Sequence, residues 1–540
     1  MCGIWALLKG NATAIDWVTA LDALQARGPE FSKAIHVPGT AVDLGFTRLA
    51  INGLTPAGHQ PYTQDGITLV CNGEIYNYKE LAERFHIPIE EGASDCAILP
   101  ALYKRLGPVE FCRALDGVFA LVLVDVPNNT LFVARDPYGV RPLYYAQQRD
   151  GARAFASEIK ALPHDVTPHP FTPGTWEQYD ASTGLPLKNG TYHTIPQVKI
   201  PLFSAPYGRG EAKMALNIAL TEAVKKRLMS DRPVGALLSG GLDSSLVASL
   251  AARELRKVGK RLSTFSIGMP GSTDLVYAEK VAKFIDSDHH TILVTPEDFL
   301  NAIPEVVKAI ESYDITTVRA SVGNYLVGKY IKEHTDIKVV FNGDGSDEVG
   351  GGYLYFYAAP SDEEFEAESE RLLKEIHLYD VLRSDRCMAA HGLEARTPFL
   401  DKAVVATWRA IGTPLRRPRK ANSYGRGAQM EKQILREAFE LEHLLPFDVI
   451  WRKKEAFSDG VSSVEDSWYK RCGAYAEAQV APVSGAWDHN PPSTPEAIYY
   501  RTLFETEYGP HAASAIPAMW LPRWIAGASD PSARTLKDLY

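Results

Sequence analysis

Near residue 210 the chain changes rhythm, and that change limits what it can fold into more than any other feature. Up to about residue 200, short β-rich runs alternate with Gly, Pro and Asn turns: Ile67 to Cys71, Val118 to Asp125, Thr130 to Ala134, Leu143 to Ala146. The stretch FALVLVDVPNNTLFVARD reads as a hairpin turning at Pro127-Asn128-Asn129. Its two near-continuous apolar strands fit a sheet covered on both faces. Helices predicted near Trp17 to Ala26 and Leu99 to Leu106 supply cover, giving a layered sandwich. KIPLFSAPYGRG, at 199–210, has the Pro and Gly content of a linker between domains 1–198 and 211–540. Beyond it come the helix ALNIALTEAVKKRL, the strand VGALL, a helix from Ser244 to about Lys257, the strand LSTFSIG, the helix VYAEKVAKFI and the strands TILV and KVVFNG. That alternation predicts βαβ units on a parallel sheet, with ligands at the carboxyl ends of the strands. From about Ser361 the pattern is mainly helical.

With 540 residues, 45% of them hydrophobic, there is ample material for two large cores. The net charge of −9 is spread thinly with no basic block, which speaks against nucleic acid or a membrane surface as partner. Six cysteines without zinc spacing fit a reducing compartment, so the cytoplasm is the expected location. The longest apolar run, Val118 to Val124, is far short of the ~18 residues of a membrane helix. The start MCGIWALLKG lacks a basic segment before its apolar stretch, so the terminus is expected to be kept, apart from Met1.

By identity alone Cys2 reads as a small buried residue. Its position adds something: once Met1 is removed, thiol and free α-amino group share one residue, and an amine titrating near ~8 suits the base for that thiol. Asn72-Gly73, directly after an apolar strand, offers a side-chain amide and an unhindered N–H for an oxyanion, although Asn-Gly is equally a strand-ending turn. Arg48, Glu74 and Asp95 are charges able to meet the carboxylate and ammonium of an amino acid. The ordered set MCGIWA, RGPE, GFTRLAI, Gln60-Pro61, CNGEIYN, SDCAI, LDGVFALVLVD, ARDPYGVRPLYY and FASEIKAL resembles the class II glutamine amidotransferases, which are N-terminal-nucleophile (Ntn) hydrolases of αββα architecture. The resemblance implies that Cys2 attacks the glutamine side-chain amide. It places Asn72 and Gly73 at the oxyanion, Arg48 on the substrate carboxylate, and Glu74 and Asp95 on its amino group, with Leu49, Ala50, Ile51 and Asn52 completing the pocket. Glu30 stands where relatives commonly carry Asp.

SGGLDSS, Ser239 to Ser245, follows a strand and opens a helix, so its backbone amides can close around phosphate. It lacks the Gly-Lys-Ser/Thr ending of a Walker loop and resembles the PP-loop of ATP pyrophosphatases. A polyanionic leaving group calls for a metal held by one or two carboxylates, and Asp243 and Asp347 sit just beyond strands that would share one sheet edge; Mg²⁺ is the implied ion. With FSIGMPGSTDL, ESYDITTVRAS, GDGSDEVGGGYLYF, MAAHGLEARTPFLD and WRKKEAFSDGV in order, the whole chain resembles the glutamine-hydrolysing asparagine synthetases. The expected fold is thus an α+β Ntn-hydrolase sandwich followed by an α/β parallel-sheet ATP-pyrophosphatase domain with a helical C-terminal part. The resemblance implies glutamine, aspartate and ATP as substrates, a β-aspartyl-AMP intermediate, an internal ammonia passage and, as in many relatives, a homodimer. It places Leu238, Ser239, Gly240, Gly241, Asp243, Ser244, Ser245, Ile267, Asn342 and Gly343 around the adenylate, Lys454 on the phosphates, and Thr316, Thr317, Arg319 and Ser321 near aspartate and phosphate.

Some positions depart from that pattern. Asp344 replaces a usual Glu thought to accept a proton as ammonia attacks, Asn342 a usual Ser, His391 a frequent Trp, and Thr291, after His289-His290, a usual Glu. They leave room for a related amide-forming ligase that adenylates another carboxylate. A protein that senses glutamine or nucleotide without turnover is the alternative of another class.

Overall fold

The computed structural model describes the chain except residues 10–13, 198–201, 204–207, 421–426, 481–486, 526–529, 531, 533–535 and 537–540. The linker read at 199–210 therefore lies largely outside the described residues.

Short β-rich runs between turns account for the first half. Strands β1 (Gly3–Leu8), β2 (Phe31–His36), β3 (Val42–Arg48), β4 (Tyr62–Gln64), β5 (Ile67–Ile75), β6 (Gly117–Asp125), β7 (Thr130–Arg135), β8 (Tyr144–Gln147), β9 (Arg153–Ala156), β10 (His169–Pro170), β11 (Thr175–Asp180) and β12 (Pro186–Thr191) form two sheets. Their orders are β10-β8-β9-β1-β3-β2 and β12-β11-β7-β6-β5-β4. The predicted hairpin is β6–β7, in register from Ala120↔Arg135 to Asp125↔Thr130. Its run is continuous because both faces are covered: Phe119, Leu121 and Leu123 enter one core while Ala120, Val122 and Val124 enter another between the sheets. Helix α1 (Ala14–Leu24) packs on the first sheet and α2 (Leu99–Ala114) on the second. The sequence reading stops α2 at Leu106; instead the chain kinks at Gly107 (φ 69°) and Pro108 opens a further helical segment.

The second half carries α3 (Arg209–Lys226) and a five-stranded parallel sheet of β13 (Val234–Leu237), β14 (Ser263–Gly268), β15 (Asp288–Leu293), β16 (Val339–Phe341) and β17 (Glu394–Arg396), in the order β15-β14-β13-β16-β17. The order reverses at β13, whose neighbours are β14 on one side and β16 on the other, which opens a crevice at their carboxyl ends. Helices α4 (Leu242–Lys257), α5 (Thr273–Phe284), α6 (Ile315–His334), α7 (Asp380–Ala389) and α8 (Pro495–Tyr508) surround the sheet or extend from it. As read from the sequence, the chain beyond Ser361 is mainly helical. Among the described residues no helix is long and apolar enough to cross a membrane.

Two candidate active sites joined by buried charge

Cys2 precedes β1, and its Sγ lies 3.7 Å from the Leu49 carbonyl oxygen. Burial pushes the thiol up to about 11, so at neutral pH it needs a base; burial also draws the amino group of Met1 down to about 6. The strand β5, which approaches β1 across the two sheets, delivers Asn72, Gly73 and Glu74 in succession. Asn72 is 1% exposed, yet neither its amide nitrogen nor its amide oxygen has a protein partner. An orphaned amide at that depth is costly unless a ligand meets it.

The segment Leu49-Ala50-Ile51-Asn52 leaves β3 and is pinned from both halves. Ala50 N–H donates to Glu30 Oε2 at 2.7 Å, Arg232 Nε donates to the Ala50 carbonyl at 2.9 Å, and Asn52 Nδ2 donates to Glu74 Oε2 at 2.5 Å. Arg48 is buried and gives its guanidinium to the carbonyls of Thr55 and Gly53. Asp95 accepts from Ile75 N–H at 2.6 Å; burial, which that bond only partly offsets, raises its carboxyl to about 6. Burial lifts Glu74 well above the usual carboxylate range, with Glu394 and Asp95 adding to it against Arg396. Both carboxyls are thus weaker acids than free side chains, because burial outweighs the positive charge around them.

At the switch point of the parallel sheet lies a cleft of about 190 Å³. It is lined by Leu238, Ser239, Gly241, Asp243, Ser244, Ile267, Thr316, Thr317, Asn342, Gly343, Asp344, Asp347 and Lys454, thirteen of the positions read from the sequence. Asp314 caps α6, accepting from Thr317 N–H at 2.8 Å, which aims the first turn at the cleft. Gly240 does not line it. This residue lets the loop pass α5: at φ 73° a Cβ would stand 2.5 Å from Ala278 N. Ser245 is fully buried behind the loop.

Two positions need correction. The cleft-facing residues of α6 are Thr316, Thr317, Ala320, Asn324 and Val327, one face at helical spacing, and Arg319 and Ser321 fall on other faces. Arg319 pairs with Glu496 of α8 at 2.8 Å and with Asp530 at 3.0 Å, and Ser321 is buried away from the cleft. His391, one of the departures from the family pattern, packs its ring 4.5 Å from that of Tyr325.

Sequence reading missed Lys432 and Arg383. Lys432 Nζ is buried between Asp243 Oδ2 (2.6 Å) and Asp347 Oδ1 (2.7 Å), while Lys454 Nζ meets Asp347 Oδ2 at 2.5 Å. Burial opposes ionisation, but these two ammonium groups hold the Asp347 carboxyl well below its usual range. Arg383 Nη2 is 3.1 Å from Asp344 Oδ1; burial nonetheless raises Asp344. Neither residue lies in a motif, and only the fold brings them to the site.

Between the sites runs a chain of buried ion pairs whose members lie in several of the motifs quoted above but whose pairing joins distant parts of the sequence. Arg27 donates to the Cys2 carbonyl (2.9 Å) and pairs with Glu158 (2.8 Å) and Asp385 (2.7 Å). Arg386 meets Glu158 (2.9 Å) and Glu311 (3.1 Å). Arg141 reaches Glu394 at 3.2 Å, and Arg396 reaches Glu394 at 2.8 Å and Glu74 at 3.4 Å. Helix α7 supplies Asp385 and Arg386 to this chain and Asp380 and Arg383 to the cleft.

Residues 1–198 match the family model described as a glutamine amidotransferase domain, and residues 215–369 and 358–524 match that described as asparagine synthase. The glutamine-hydrolysing asparagine synthetases of Cricetulus griseus and Mus musculus are each 43% identical to this chain, over 99% of its length and 98% of theirs; that of Homo sapiens is 42% identical over the same shares. With both family models matched in order along one chain and relatives of that name covered almost end to end, the chain belongs to the glutamine-hydrolysing asparagine synthetase family.

Proposed function

We propose that this enzyme converts aspartate, ATP and glutamine to asparagine, AMP, pyrophosphate and glutamate, using the residues described above at two separate sites. With Met1 removed, the Cys2 thiol passes its proton to its own amino group and attacks the glutamine side-chain amide. The tetrahedral oxyanion forms against Asn72 and Gly73, Arg48 takes the substrate carboxylate, and Glu74 and Asp95 take its ammonium. Collapse frees ammonia and a thioester, which water hydrolyses to glutamate.

In the cleft, the aspartate side-chain carboxylate attacks the α-phosphorus of ATP and pyrophosphate leaves. The loop Ser239 to Ser245 and the amino end of α4 receive the phosphates, with Lys454 and Lys432 opposing their charge. Leu238, Ile267 and Gly343 hold the nucleotide, and Thr316 and Thr317 face the acyl acceptor. Asp243 and Asp347 suit Mg²⁺: they converge on one ammonium, so they share a focus, and both are hard oxygen donors. The two carboxylates would hold the ion against the substrate's phosphates, whose charge it would neutralise. Ammonia then attacks the acyl carbon, AMP leaves, and Asp344 takes one proton from the nitrogen. Delivery through the interior keeps ammonia neutral and water away from the acyl adenylate.

Six free cysteines support a reducing, cytoplasmic setting, and we place two copies of the chain in the working assembly, as the family resemblance implies. The observation that carries the reading is the partnerless amide of Asn72 on one side and the twin-carboxylate, twin-lysine cleft on the other, bridged by one ion network. Incubation with glutamine, aspartate, ATP and Mg²⁺ should yield asparagine, glutamate, AMP and pyrophosphate in equal amounts. ADP in place of AMP, or the absence of asparagine, overturns it.

A further inference from the structure

The loop after β16 contains a side chain, Asn342, that the steps above do not explain. Asn342 is 5% exposed, and its amide turns toward Asp344. Asn342 Nδ2 donates to Asp344 Oδ2 at 2.9 Å and lies 2.5 Å from Ser384 Oγ on α7, while the Asp344 N–H donates back to Asn342 Oδ1 at 3.3 Å. The other carboxylate oxygen, Oδ1, accepts from Arg383 Nη2 at 3.1 Å. The carboxylate is thus gripped at both oxygens, from the loop and from α7.

Lengths explain why such a grip matters. Asp reaches one methylene less far than Glu, so Asp344 has little slack with which to find the reacting nitrogen. A side chain at 342 without the amide, such as Ser, would leave Oδ2 with no donor from this loop. Misplacing a reacting group by ~1 Å costs about 100-fold in rate. We propose that Asn342 is the positioning residue for Asp344: its amide, anchored on Ser384, sets the carboxylate where ammonia attacks the acyl adenylate. In that step the new C–N bond forms as the C–O bond to AMP breaks, and the proton lost by nitrogen passes to the carboxylate and on to solvent. The inference rests on the reading that Asp344 accepts this proton.

The same logic makes the pair reciprocal. A longer acid at 344 collides with the amide at 342, but it has room and reach when 342 is short. The test measures asparagine and pyrophosphate from aspartate, ATP, Mg²⁺ and added ammonia for the unaltered enzyme and for Asn342→Ser, Asp344→Glu and the double variant. Each single change should lower asparagine per pyrophosphate by about tenfold and raise the KM for ammonia, and the double variant should return to within about threefold of the unaltered enzyme. Ser384→Ala, which removes the anchor together with the contact of Ser384 itself to Asp344, should lower the ratio by about threefold. Independent losses, multiplying in the double variant, would overturn the positioning role, as would a full ratio in Asn342→Ser. Glutamine hydrolysis at Cys2 reports folding of every variant; should Asn342→Ser lose it, Ser384→Ala decides, and an unchanged ratio there overturns the proposal. The underlying reading fails separately, if Asp344→Asn makes asparagine from ammonia at the full rate.

Discussion

Glu74 and Asp95 in the amino-terminal half, and Asp243 and Asp347 in the cleft, are two pairs of acids facing opposite ways electrostatically. Around the first pair burial outweighs the guanidinium of Arg396, and both carboxyls are raised. Around the second, Lys432 bridges the two acids and Lys454 adds a further cation to Asp347. The difference matches the function proposed above, in which the first place takes an ammonium group and the second a polyanion with its metal.

The largest effect should come from removing the nucleophile that only one region has. Cys2→Ala should lower glutamine-dependent synthesis by ~10³-fold or more while synthesis from added ammonia persists, measured by asparagine formation with each donor. Next comes the lysine that distinguishes the second pair. Lys432→Met strips Asp243 of its ammonium partner and leaves Asp347 with Lys454 alone, so ATP–pyrophosphate exchange should fall by about 100-fold. Denaturant unfolding of that variant should show a loss of about 3 kcal/mol, the cost of an uncompensated buried charge.

Arg396→Met would sharpen the contrast from the other side. It takes away the guanidinium nearest Glu74, which lifts that carboxyl further and keeps it neutral, so the glutamine KM should rise by about tenfold, read from glutaminase kinetics. The smallest effect is a pH dependence. Asp95 must be ionised to hold an ammonium, and its carboxyl is raised to about 6. Below that value the glutamine KM should climb by about tenfold per pH unit, an inflection absent from ammonia-dependent synthesis and from Asp95→Asn. The sign for stability is the reverse of an ordinary salt-bridged acid. The folded state binds this proton more tightly than the unfolded chain, so Asp95 costs stability as pH rises from about 3.8 to about 6. Asp95→Asn should therefore raise the unfolding midpoint above pH 6 and leave it unchanged below pH 4.

What could be read from the sequence was what neighbouring residues settle between themselves. Near-continuous apolar runs around a Pro-Asn-Asn turn gave β6 and β7, the strand-glycine-helix junction gave the loop at Ser239, and Asp243 and Asp347 met because β13 and β16 are neighbours. Arg319 was misplaced because a motif names a residue without saying which face of its helix the core will take; Glu496, 177 positions on, decided that. Lys432 and Arg396 were invisible for a related reason. Lys432 meets Asp347 across 85 positions, and Arg396 belongs to β17 yet serves an acid of β5, so no window of local sequence holds both partners. The kink at Gly107 was missed because propensity marks where a helix falters, not whether another turn resumes beyond it.

Helix α7 has one further consequence. Because Arg27 and Glu158 find Asp385 and Arg386 there, severing the polypeptide near residue 200 would leave each fragment with bare ions in a surface meant to stay dry. Neither half is a portable module: a glutaminase trimmed from this enzyme, or a synthetase transplanted onto another ammonia source, would first need its severed face rebuilt with neutral side chains.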